Sequence, residues 1–366
     1  MQYGEAVKQH GSIRKAAASM GLAYSTFHHR LKKENSLPYS LKVKSELPPD
    51  GFEIKGVSTL YDAEGNVKQE WVKTSALFDR QKEALVAAAS ELQKDLNREK
   101  PTPKPKHTKD DLASCYVLTD YHLGQLSWGE ETGEDWDTEK AEKLLIDWFG
   151  AAISAAPASS VGILCQLGDF LHFDGHDPVT PTSGHVLDVD TRFQNVVRIA
   201  ISAIRQIIHL MLKKHEHVHV IMAEGNHDLA SSVWLRELFA AFYENEPRVT
   251  VDNNPTPFYC FEWGRTSLFF HHGHKKKIAQ ISKTFAGMYR QVFGRTKYSY
   301  AHMGHFHHKE LKEDQLMEVE QHQTLTAKDA YSARGGYISH RSASVITYSK
   351  KAGEVSRSTI RPEMFE

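Results

Sequence analysis

The chain has 366 residues, of which 25% are charged and 40% are hydrophobic, and its formal net charge is −1. This length suits one large domain plus a smaller one, and a total charge near zero gives no information about partners. The sequence shows no signal peptide at its N-terminus and no apolar run long enough to span a bilayer. We therefore expect a cytoplasmic protein without a membrane partner.

Charge is distributed unevenly along the chain. Residues 1–45 hold eight Lys or Arg and two Glu, which gives this segment a net charge of +6 and leaves −7 for the remainder. A small basic segment attached to an acidic body favours a polyanion as the partner of that segment.

Cysteine and histidine usage adds two constraints. Cys115, Cys165 and Cys260 lie in apolar, strand-like runs without close pairing, so we expect buried thiols rather than a disulfide framework. The 22 histidines are an unusual number, and many of them follow apolar runs directly. Histidine clustered in this way indicates metal binding.

Residues 1–45 are predicted to form a small all-α domain. Helical spacing of apolar residues predicts three short helices over 1–35, with Ser12 as a cap and Gly21 at the second break. With Ala17 and Phe27 at the small-residue and core-anchor positions, the segment resembles the helix-turn-helix family. The resemblance implies that DNA is contacted by Tyr24, Ser25, Thr26, His28, His29 and Arg30, with Lys32 and Lys33 near phosphates. A helical cap used for self-association is the alternative.

Residues 50–98 are predicted to form a spacer. Alternation over 52–75 predicts a β-hairpin, and 77–96 has the pattern of an amphipathic helix. Residues 99–111 are rich in Pro and Lys and are predicted to be a stiff linker. Residues 50–98 contain no motif that indicates a specific function, and we interpret them as a spacer or a partner-binding arm.

Residues 112–366 alternate between strand and helix patterns, which predicts a layered α/β domain. The predicted elements are strand 115–119, helix 138–154, strand 161–167, helix 191–214, strand 217–223, helix 231–243, several strands between 248 and 271, helix 276–292, strand 298–303 and a β-rich tail over 310–362. The irregular insert 171–190 is predicted to be a lid or substrate loop, with a disordered excursion as the alternative.

Five polar blocks follow apolar runs in this domain. They are Asp120-Tyr121-His122, Gly168-Asp169, Gly225-Asn226-His227-Asp228, His272-Gly273-His274 and Gly304-His305-Phe306-His307. Buried strands that end in such blocks deliver polar groups to the carboxyl edge of a sheet. In this order the blocks resemble the calcineurin-like metallophosphoesterases over nearly all of 112–310, and the last block resembles their DNA-repair exonuclease branch. The resemblance implies a layered β-sandwich flanked by helices.

The same resemblance implies two divalent cations that clamp a phosphate and activate a bridging water. Asp169 would bridge the cations. The remaining implied ligands are Asp120, His122 and His307 for one cation and Asn226, His272 and His305 for the other. Resemblance to the nuclease branch favours Mn²⁺, and mixed nitrogen and oxygen ligands also suit Fe or Zn²⁺.

Other residues of the blocks have implied roles beside the cations. His227 would protonate the leaving oxygen, and Asp228 would orient its imidazole and raise its basicity. His274 is interpreted as a substrate contact or a support for a ligand, whereas His271 and His308 are interpreted as structural. Lys275 and Lys276 could hold a nucleic-acid backbone, with a solvated helix start as the alternative.

Together these features predict a metal-dependent DNA phosphodiesterase, acting as an exonuclease or an endonuclease. The alternatives are a phosphomonoesterase, a cyclic-nucleotide or protein phosphatase of the same fold, and a DNA-bound regulator that uses the fold as a scaffold. We expect DNA as partner, a homo-oligomer as a further assembly state, and no coiled-coil arm for an ATPase. Fusion of a DNA-binding head to a nuclease-like body would fit a bacteriophage protein in the host cytoplasm.

Overall fold

The computed structural model describes residues 2–35, 52–61, 67–76 and 101–365. The chain divides into two compact units, Met1–Glu91 and Leu92–Glu366. The predicted helix over 77–96 lies outside the described residues, as do the turn of the predicted hairpin and residues 36–50.

The first unit begins with three helices, as predicted: α1 (Gln2–His10), α2 (Ile13–Ser19) and α3 (Tyr24–Asn35). The side chain of Ser12 caps α2 by accepting a 3.3 Å hydrogen bond from the backbone N–H of Lys15. Gly21 adopts a left-handed φ of 64° in the turn before α3. Ala16, Ala17 and Phe27 are buried between the helices, so this small unit has its own core.

The predicted hairpin is also present. Strand β1 (Phe52–Tyr61) pairs antiparallel with β2 (Val67–Ala76), and the register shifts at two points along the pair. Such irregularities are typical of two-stranded ribbons, which twist strongly.

The second unit contains strands in two sheets and helices around them. Its strands are β3 (Lys109–Leu118), β4 (Ser159–Gln166), β5 (His217–Met222), β6 (Val249–Val251), β7 (Tyr259–Trp263), β8 (Thr266–Phe270), β9 (Tyr298–Met303), β10 (Glu310–Glu313), β11 (Glu318–Gln321), β12 (Ala343–Ser349) and β13 (Gly353–Ile360). Its helices are α4 (Gly129–Thr132), α5 (Thr138–Ala155), α6 (Phe193–Lys214), α7 (Leu229–Phe242), α8 (Ile278–Met288), α9 (Arg290–Arg295) and α10 (Ala330–Arg334), followed by a 3-10 turn over Pro362–Met364.

The strands form a sheet of order β13-β12-β3-β4-β5-β6 and a sheet of order β10-β11-β9-β8-β7. Strands β3 to β6 run parallel, whereas β12 runs antiparallel to both β3 and β13. In the second sheet β9 runs parallel to both β8 and β11. The parallel strands of both sheets therefore bring their carboxyl ends to shared edges.

The core lies on both faces of the six-stranded sheet. Alternate residues such as Cys165 and Ile221 face the second sheet, where they pack with Phe270. The intervening residues, such as Leu164, pack beneath α5 and α6 with Trp148. Parallel strands covered on both faces must be apolar throughout, which explains their sequences. The predicted fold class, a layered α/β sandwich flanked by helices, is confirmed.

The three cysteines carry free thiols, as predicted. Cys115 and Cys165 are buried, and Cys260 is half-buried. Burial raises the pKa of the Cys260 thiol to about 12, so the thiol is protonated at neutral pH.

Within the described residues, α6 is long and apolar enough to cross a membrane by length and composition, which the sequence did not lead us to expect. Ten of its residues are buried in the core of the second unit. Packing against the protein interior therefore accounts for its apolar character.

The Pro- and Lys-rich segment before β3 is hydrogen-bonded to the rest of the second unit. Thr102 donates from its backbone N–H to Glu246 at 2.7 Å, and the guanidinium of Arg248 donates to the carbonyl of Thr102 at 2.9 Å. Lys104 pairs with Glu216 at 2.7 Å. The following strand begins at residue 109, six residues before the predicted start, because its first charged residues lie at the exposed end of the sheet.

Candidate metal centre

The five polar blocks follow five strand ends, and backbone hydrogen bonds join them. The N–H of Asp120, after β3, donates to the carbonyl of Gly168, after β4, at 3.0 Å. The N–H of Gly304, after β9, donates to the carbonyl of His272, after β8, at 2.7 Å. Hydrogen bonds between backbone groups alone thus hold the ends of neighbouring strands together.

The structure brings six of the seven predicted ligands into two adjoining groups. Within each group, one possible ligand atom per residue lies within 4.8 Å of the others: Asp120, Asp169, His272 and His305 in the first, and Asp120, His122 and His307 in the second. Asp120 is common to both groups, a position that the resemblance implied for Asp169. Its Oδ1 lies 3.2 Å from Nε2 of His307 and 3.9 Å from Nε2 of His272.

Asn226, the seventh predicted ligand, is flanked by two residues that touch Asp169. A Cβ added at Gly225 would lie 1.9 Å from Oδ1 of Asp169. The backbone N–H of His227 donates to the same oxygen at 2.8 Å. Gly225 is therefore required for the close approach of the two loops, and this approach positions Asn226 beside the carboxylate.

Backbone strain is concentrated at the predicted ligands. Among the described residues, the non-glycine residues with positive φ are Asp120 at 50°, His122 at 48°, Asp169 at 51°, His305 at 78° and His307 at 55°. Each such conformation costs about 1–3 kcal/mol and persists where the surrounding structure enforces it, commonly at functional sites. All five are predicted ligands, so the strain coincides with the candidate centre.

The two carboxylates are anchored through one oxygen each. Oδ2 of Asp120 accepts from the hydroxyl of Thr119 and, at 2.8 Å, from the backbone N–H of His305. Oδ1 of Asp169 is held by His227, as described above, and its Oδ2 lies 3.0 Å from Nε2 of His272. One oxygen of each carboxylate thus remains directed at the neighbouring imidazoles.

The donor atoms fit the coordination of divalent cations. Nδ1 of His272 donates to the carbonyl of Leu167 at 2.9 Å, which leaves the lone pair on Nε2. Within the described residues, Oδ1 of Asn226 is buried without a hydrogen-bond partner. Buried polar atoms normally have partners, and carboxylate, amide and imidazole donors together suit Mn²⁺, Fe or Zn²⁺.

The electrostatics favour a cation at the same place. Burial opposes ionisation of Asp169 and Asp120, but the neighbouring imidazoles outweigh it and hold the pKa of each carboxyl well below its usual range. Burial lowers the pKa of His272, yet Asp169 and Asp120 outweigh it and raise that pKa to about 9. Both buried carboxylates are thus ionised at neutral pH, and their field stabilises positive charge.

His227 is positioned by a residue that the sequence did not single out. Its Nδ1 lies 2.8 Å from the carbonyl oxygen of His172, so Nδ1 must carry the proton and donate. The buried ring of His172 in turn places its Nδ1 3.3 Å from Nδ1 of His122. His122, His172 and His227 therefore form a contiguous group at the edge of the centre.

Asp228 differs from its predicted role. Its carboxylate accepts from four backbone N–H groups: Asp169 at 3.2 Å, Phe170 at 2.7 Å, Leu171 at 3.3 Å and Gly225 at 2.9 Å. Within the described residues, no hydrogen bond joins this carboxylate to the imidazole of His227, which it was expected to orient. The side chain instead fixes the loops after β4 and β5, because it satisfies backbone donors that would otherwise be buried unpaired.

The insert 171–190, predicted to be a lid or substrate loop, is anchored at its start. Residues 171–173 are buried, and the carboxylate of Asp174 accepts from the backbone N–H groups of Ala230 and Ser231 at 2.7 Å each. Asp174 thus accepts hydrogen bonds from N–H groups in the first turn of α7, which has no side-chain cap at its own N-cap residue. The exposed residues 181–185 lie between Val179 and Val186, which are joined by an antiparallel bridge.

The residues predicted to contact substrate lie in different surroundings. The ring of His274 is 5.3 Å from that of His272, and both of its nitrogens lack a hydrogen-bond partner within the described residues. Lys275 pairs with Glu224 at 2.7 Å and is exposed, whereas Lys276 is half-exposed. The ion pair leaves Lys275 partly neutralised beside the centre.

Two further histidines were interpreted as structural. His271 is buried and its ring stacks on that of Phe258 at 4.6 Å. The backbone N–H of Gly273 donates to Nδ1 of His271 at 2.9 Å, which supports the turn of the block. His308 is exposed, and its Nδ1 lies 3.0 Å from the carbonyl of Phe306.

In the first unit, the residues predicted to contact DNA are exposed on one part of α3. They are Tyr24, Ser25, Thr26, His28, His29 and Arg30. The ring of Tyr24 stacks on His28 at 5.9 Å, and Arg14 lies over the Tyr24 ring at the same distance. Arg30 donates to the hydroxyl of Tyr3 at 3.1 Å. This surface is basic and accessible.

No family model matches the sequence, and no curated protein matches it. Among solved structures, the chain is similar to a predicted phosphoesterase from Streptococcus pneumoniae TIGR4, with a TM-score of 0.30 and 10% identity over 69% of this chain and 99% of that one. A novel archaeal phosphodiesterase gives a TM-score of 0.34 and 12% identity over 68% and 99%. Zinc-complexed Vps29 from Entamoeba histolytica gives 0.29 and 11% over 68% and 99%.

Proposed function

We propose that the chain is a metal-dependent phosphodiesterase that hydrolyses DNA. The observation that carries the proposal is the convergence of Asp120, Asp169 and four histidines from four strand ends, five of the six at strained backbone positions and both carboxylates ionised. Together with Asn226, these side chains would hold two divalent cations, with Mn²⁺ proposed ahead of Fe or Zn²⁺. Such a pair of cations polarises a phosphoryl oxygen and activates water.

The chain's own residues supply the proton transfer. Because Nδ1 of His227 donates to the carbonyl of His172, Nε2 is the atom that can deliver a proton to a leaving oxygen. The ring of His227 lies 4.5 Å from that of His122, so this atom belongs to the surroundings of the centre. We assign His227 as the general acid and Asp228 as the residue that holds its loop.

DNA is the proposed substrate because of the first unit. Its three helices expose a basic surface on α3, and residues 1–45 carry a net charge of +6. A helix-turn-helix would use these side chains to hold a duplex while the second unit acts on a phosphodiester.

The test is hydrolysis by the full-length chain in Mn²⁺. Labelled single-stranded and double-stranded DNA, bis(p-nitrophenyl) phosphate and p-nitrophenyl phosphate are assayed in parallel. Asp120→Asn should abolish cleavage of the diesters, whereas Asp147→Asn, on the exposed face of α5 where it pairs with Lys143, should leave it unchanged. Brisk hydrolysis of the monoester without DNA cleavage would replace the proposal with a phosphomonoesterase.

A second measurement separates the two units. Arg30→Ala should weaken cleavage of long DNA and reduce its salt dependence, but should leave hydrolysis of bis(p-nitrophenyl) phosphate unchanged. Equal effects on both substrates would contradict DNA binding by α3.

A further inference from the structure

Exposed apolar side chains lie in the loop that carries two predicted ligands and in a segment hydrogen-bonded to that loop. Phe306 stands between two of the predicted ligands and is 48% exposed. Tyr331, Tyr337 and Ile338 are 58%, 60% and 92% exposed. We call Phe306, Tyr331, Tyr337 and Ile338 the aromatic shelf. The rings of Tyr331 and Tyr337 lie next to each other, and exposed apolar side chains grouped in this way mark a binding site on a folded domain.

The aromatic shelf is tied to the loop that carries the ligands. The hydroxyl of Ser339 donates to the backbone carbonyl of His307 at 2.9 Å. Tyr337 precedes Ser339 by two residues, so their Cα atoms are at most about 7 Å apart. This bond therefore joins the segment that carries Tyr337 to the loop that carries His305 and His307.

The rings of the shelf are ordered by their own turn. The rings of Tyr331 and Tyr337 are 6.3 Å apart with an interplanar angle of 29°. A Cβ added at Gly335 would lie 2.4 Å from the ring of Tyr337, so this ring packs directly on the glycine. The N–H of Tyr337 donates to the carbonyl of Ser332 at 3.0 Å. The rings need little further ordering to bind a ligand.

The cations of this segment are engaged with carboxylates. Arg334 pairs with Glu131 at 2.7 Å, and Arg341 pairs with Glu134 while lying over the ring of Trp136. These contacts fasten the segment to the residues around α4. They also leave the exposed surface of the shelf dominated by aromatic and aliphatic groups, which suit the faces of nucleobases rather than phosphates.

We propose that the aromatic shelf is a nucleobase subsite, on which an unpaired base next to the scissile phosphate stacks. The proposal rests on the phosphodiesterase function and names its substrate class as single-stranded nucleic acid. Bases within a duplex are stacked on their neighbours, so a preformed stacking surface beside the centre selects a strand whose bases are unpaired. Tyr337 and Phe306 are the residues that would set this preference.

The test compares base-bearing and base-free substrates. The full-length chain in Mn²⁺ is assayed on a single-stranded octanucleotide and on octanucleotides with one abasic residue at each position in turn. For the wild type, kcat/KM should fall about 5- to 100-fold when the abasic residue occupies the position that faces the shelf, as expected for loss of one stacked base. Tyr337→Ala should lose the same factor on the intact strand and be insensitive to the abasic residue.

Two further variants sharpen the comparison. Gly335→Ala keeps the tyrosine but displaces its ring, so it should reproduce part of the loss on the intact strand. Met288→Ala removes an exposed apolar side chain at the end of α8 and should change nothing. If Tyr337→Ala lowers kcat/KM equally on intact and abasic strands, or not at all, the subsite is overturned.

A binding measurement distinguishes failure of the subsite from failure of the proposed function. Fluorescence anisotropy is recorded with the labelled octanucleotides in Ca²⁺ instead of Mn²⁺. Binding that depends on the base and on Tyr337, without cleavage in any metal, would support the subsite and overturn DNA hydrolysis. Cleavage without dependence on the base would overturn the subsite alone, and absence of both binding and cleavage would overturn both.

Discussion

Oδ1 of Asp169 accepts a hydrogen bond of 2.8 Å from the backbone N–H of His227. In the opposite direction, the carboxylate of Asp228, after β5, accepts from the N–H groups of Asp169 and Phe170, after β4. The loops after β4 and β5 are therefore locked to each other through backbone donors. The imidazole of His227 adds a side-chain link between the same loops through the carbonyl of His172, but the donor that holds Asp169 is the backbone N–H of His227, which does not depend on the ring.

His227→Ala should therefore retain metal and lose turnover. Alanine keeps the backbone N–H that holds Asp169, while the proposed general acid disappears, which typically costs about 10²- to 10⁴-fold in rate. The loss should be smaller for bis(p-nitrophenyl) phosphate than for DNA, because p-nitrophenolate leaves without protonation. Rates on both substrates and the metal content after dialysis provide the measurement.

Asp169→Ala is the matched comparison for His227→Ala. It removes a predicted ligand, so the dialysed protein should lose metal as well as activity. If the two variants lost metal equally, the separate roles assigned to Asp169 and His227 would be wrong.

Gly225→Ala should damage the centre through packing alone. The added Cβ would lie 1.9 Å from Oδ1 of Asp169, so the loops must separate. Such overpacking costs about 1–3 kcal/mol of unfolding free energy. The centre should bind Mn²⁺ more weakly, as measured by calorimetry.

Gly150→Ala is the control for this change. Gly150 lies within α5, and an added Cβ would meet nothing within 4 Å. Because alanine has a higher helix propensity than glycine, the unfolding free energy of this variant should rise by about 0.5–1 kcal/mol. Normal Mn²⁺ affinity in Gly225→Ala would show that the loop contact does not position the ligands.

Local sequence signals were sufficient to predict the strand ends and the blocks that follow them. An apolar run followed by Gly and then by Asp, Asn or His specifies both a buried strand and a polar group at its end. The resemblance of the five blocks to a known family then related residues as distant as Asp120 and His307, which the structure brings together.

Pairings between distant residues could not be predicted in the same way. The hydroxyl of Thr324 donates to the backbone carbonyl of Asp120 at 2.6 Å, although 204 residues separate them. His172 was assigned to a loop, since nothing in its neighbourhood reveals that its carbonyl orients His227. Adjacency in sequence also suggested that Asp228 orients the ring of His227, whereas its carboxylate accepts from backbone N–H groups of the loops after β4 and β5.

Divalent cations should stabilise the second unit. The carboxylates of Asp120 and Asp169 are buried, ionised and near each other. A cation that binds only the folded state raises the unfolding free energy by about 2.7 kcal/mol when its concentration is 100 times Kd. Mn²⁺ should therefore raise Tm after chelation, and Ca²⁺ should do so less. Asp120→Asn should remove most of the increase, and an unchanged increase in that variant would place the binding elsewhere.

His215 predicts a specific dependence of stability on pH, away from the candidate centre. Its Nδ1 donates to the carbonyl of Ser159 at 2.9 Å, and its Nε2 accepts from the hydroxyl of Tyr116 at 2.7 Å. Burial lowers the pKa of His215 to about 4, whereas an unfolded histidine has a pKa of about 6.5. Between these two pKa values the unfolded state binds more protons than the folded state. The contribution of neutral His215 to the unfolding free energy is therefore complete above about pH 6.5 and declines as the pH falls towards 4.

His215→Gln isolates this contribution, because glutamine does not titrate. Urea unfolding of the chelated wild type and of the variant is measured between pH 7.5 and 5.5, and the difference in unfolding free energy is taken at each pH. The stability advantage of the wild type should shrink below about pH 6.5, by up to about 1.4 kcal/mol per pH unit. Other histidines contribute equally to both proteins and cancel in the difference. A difference that stays constant across this range would mean that His215 is not held neutral by Tyr116 and Ser159.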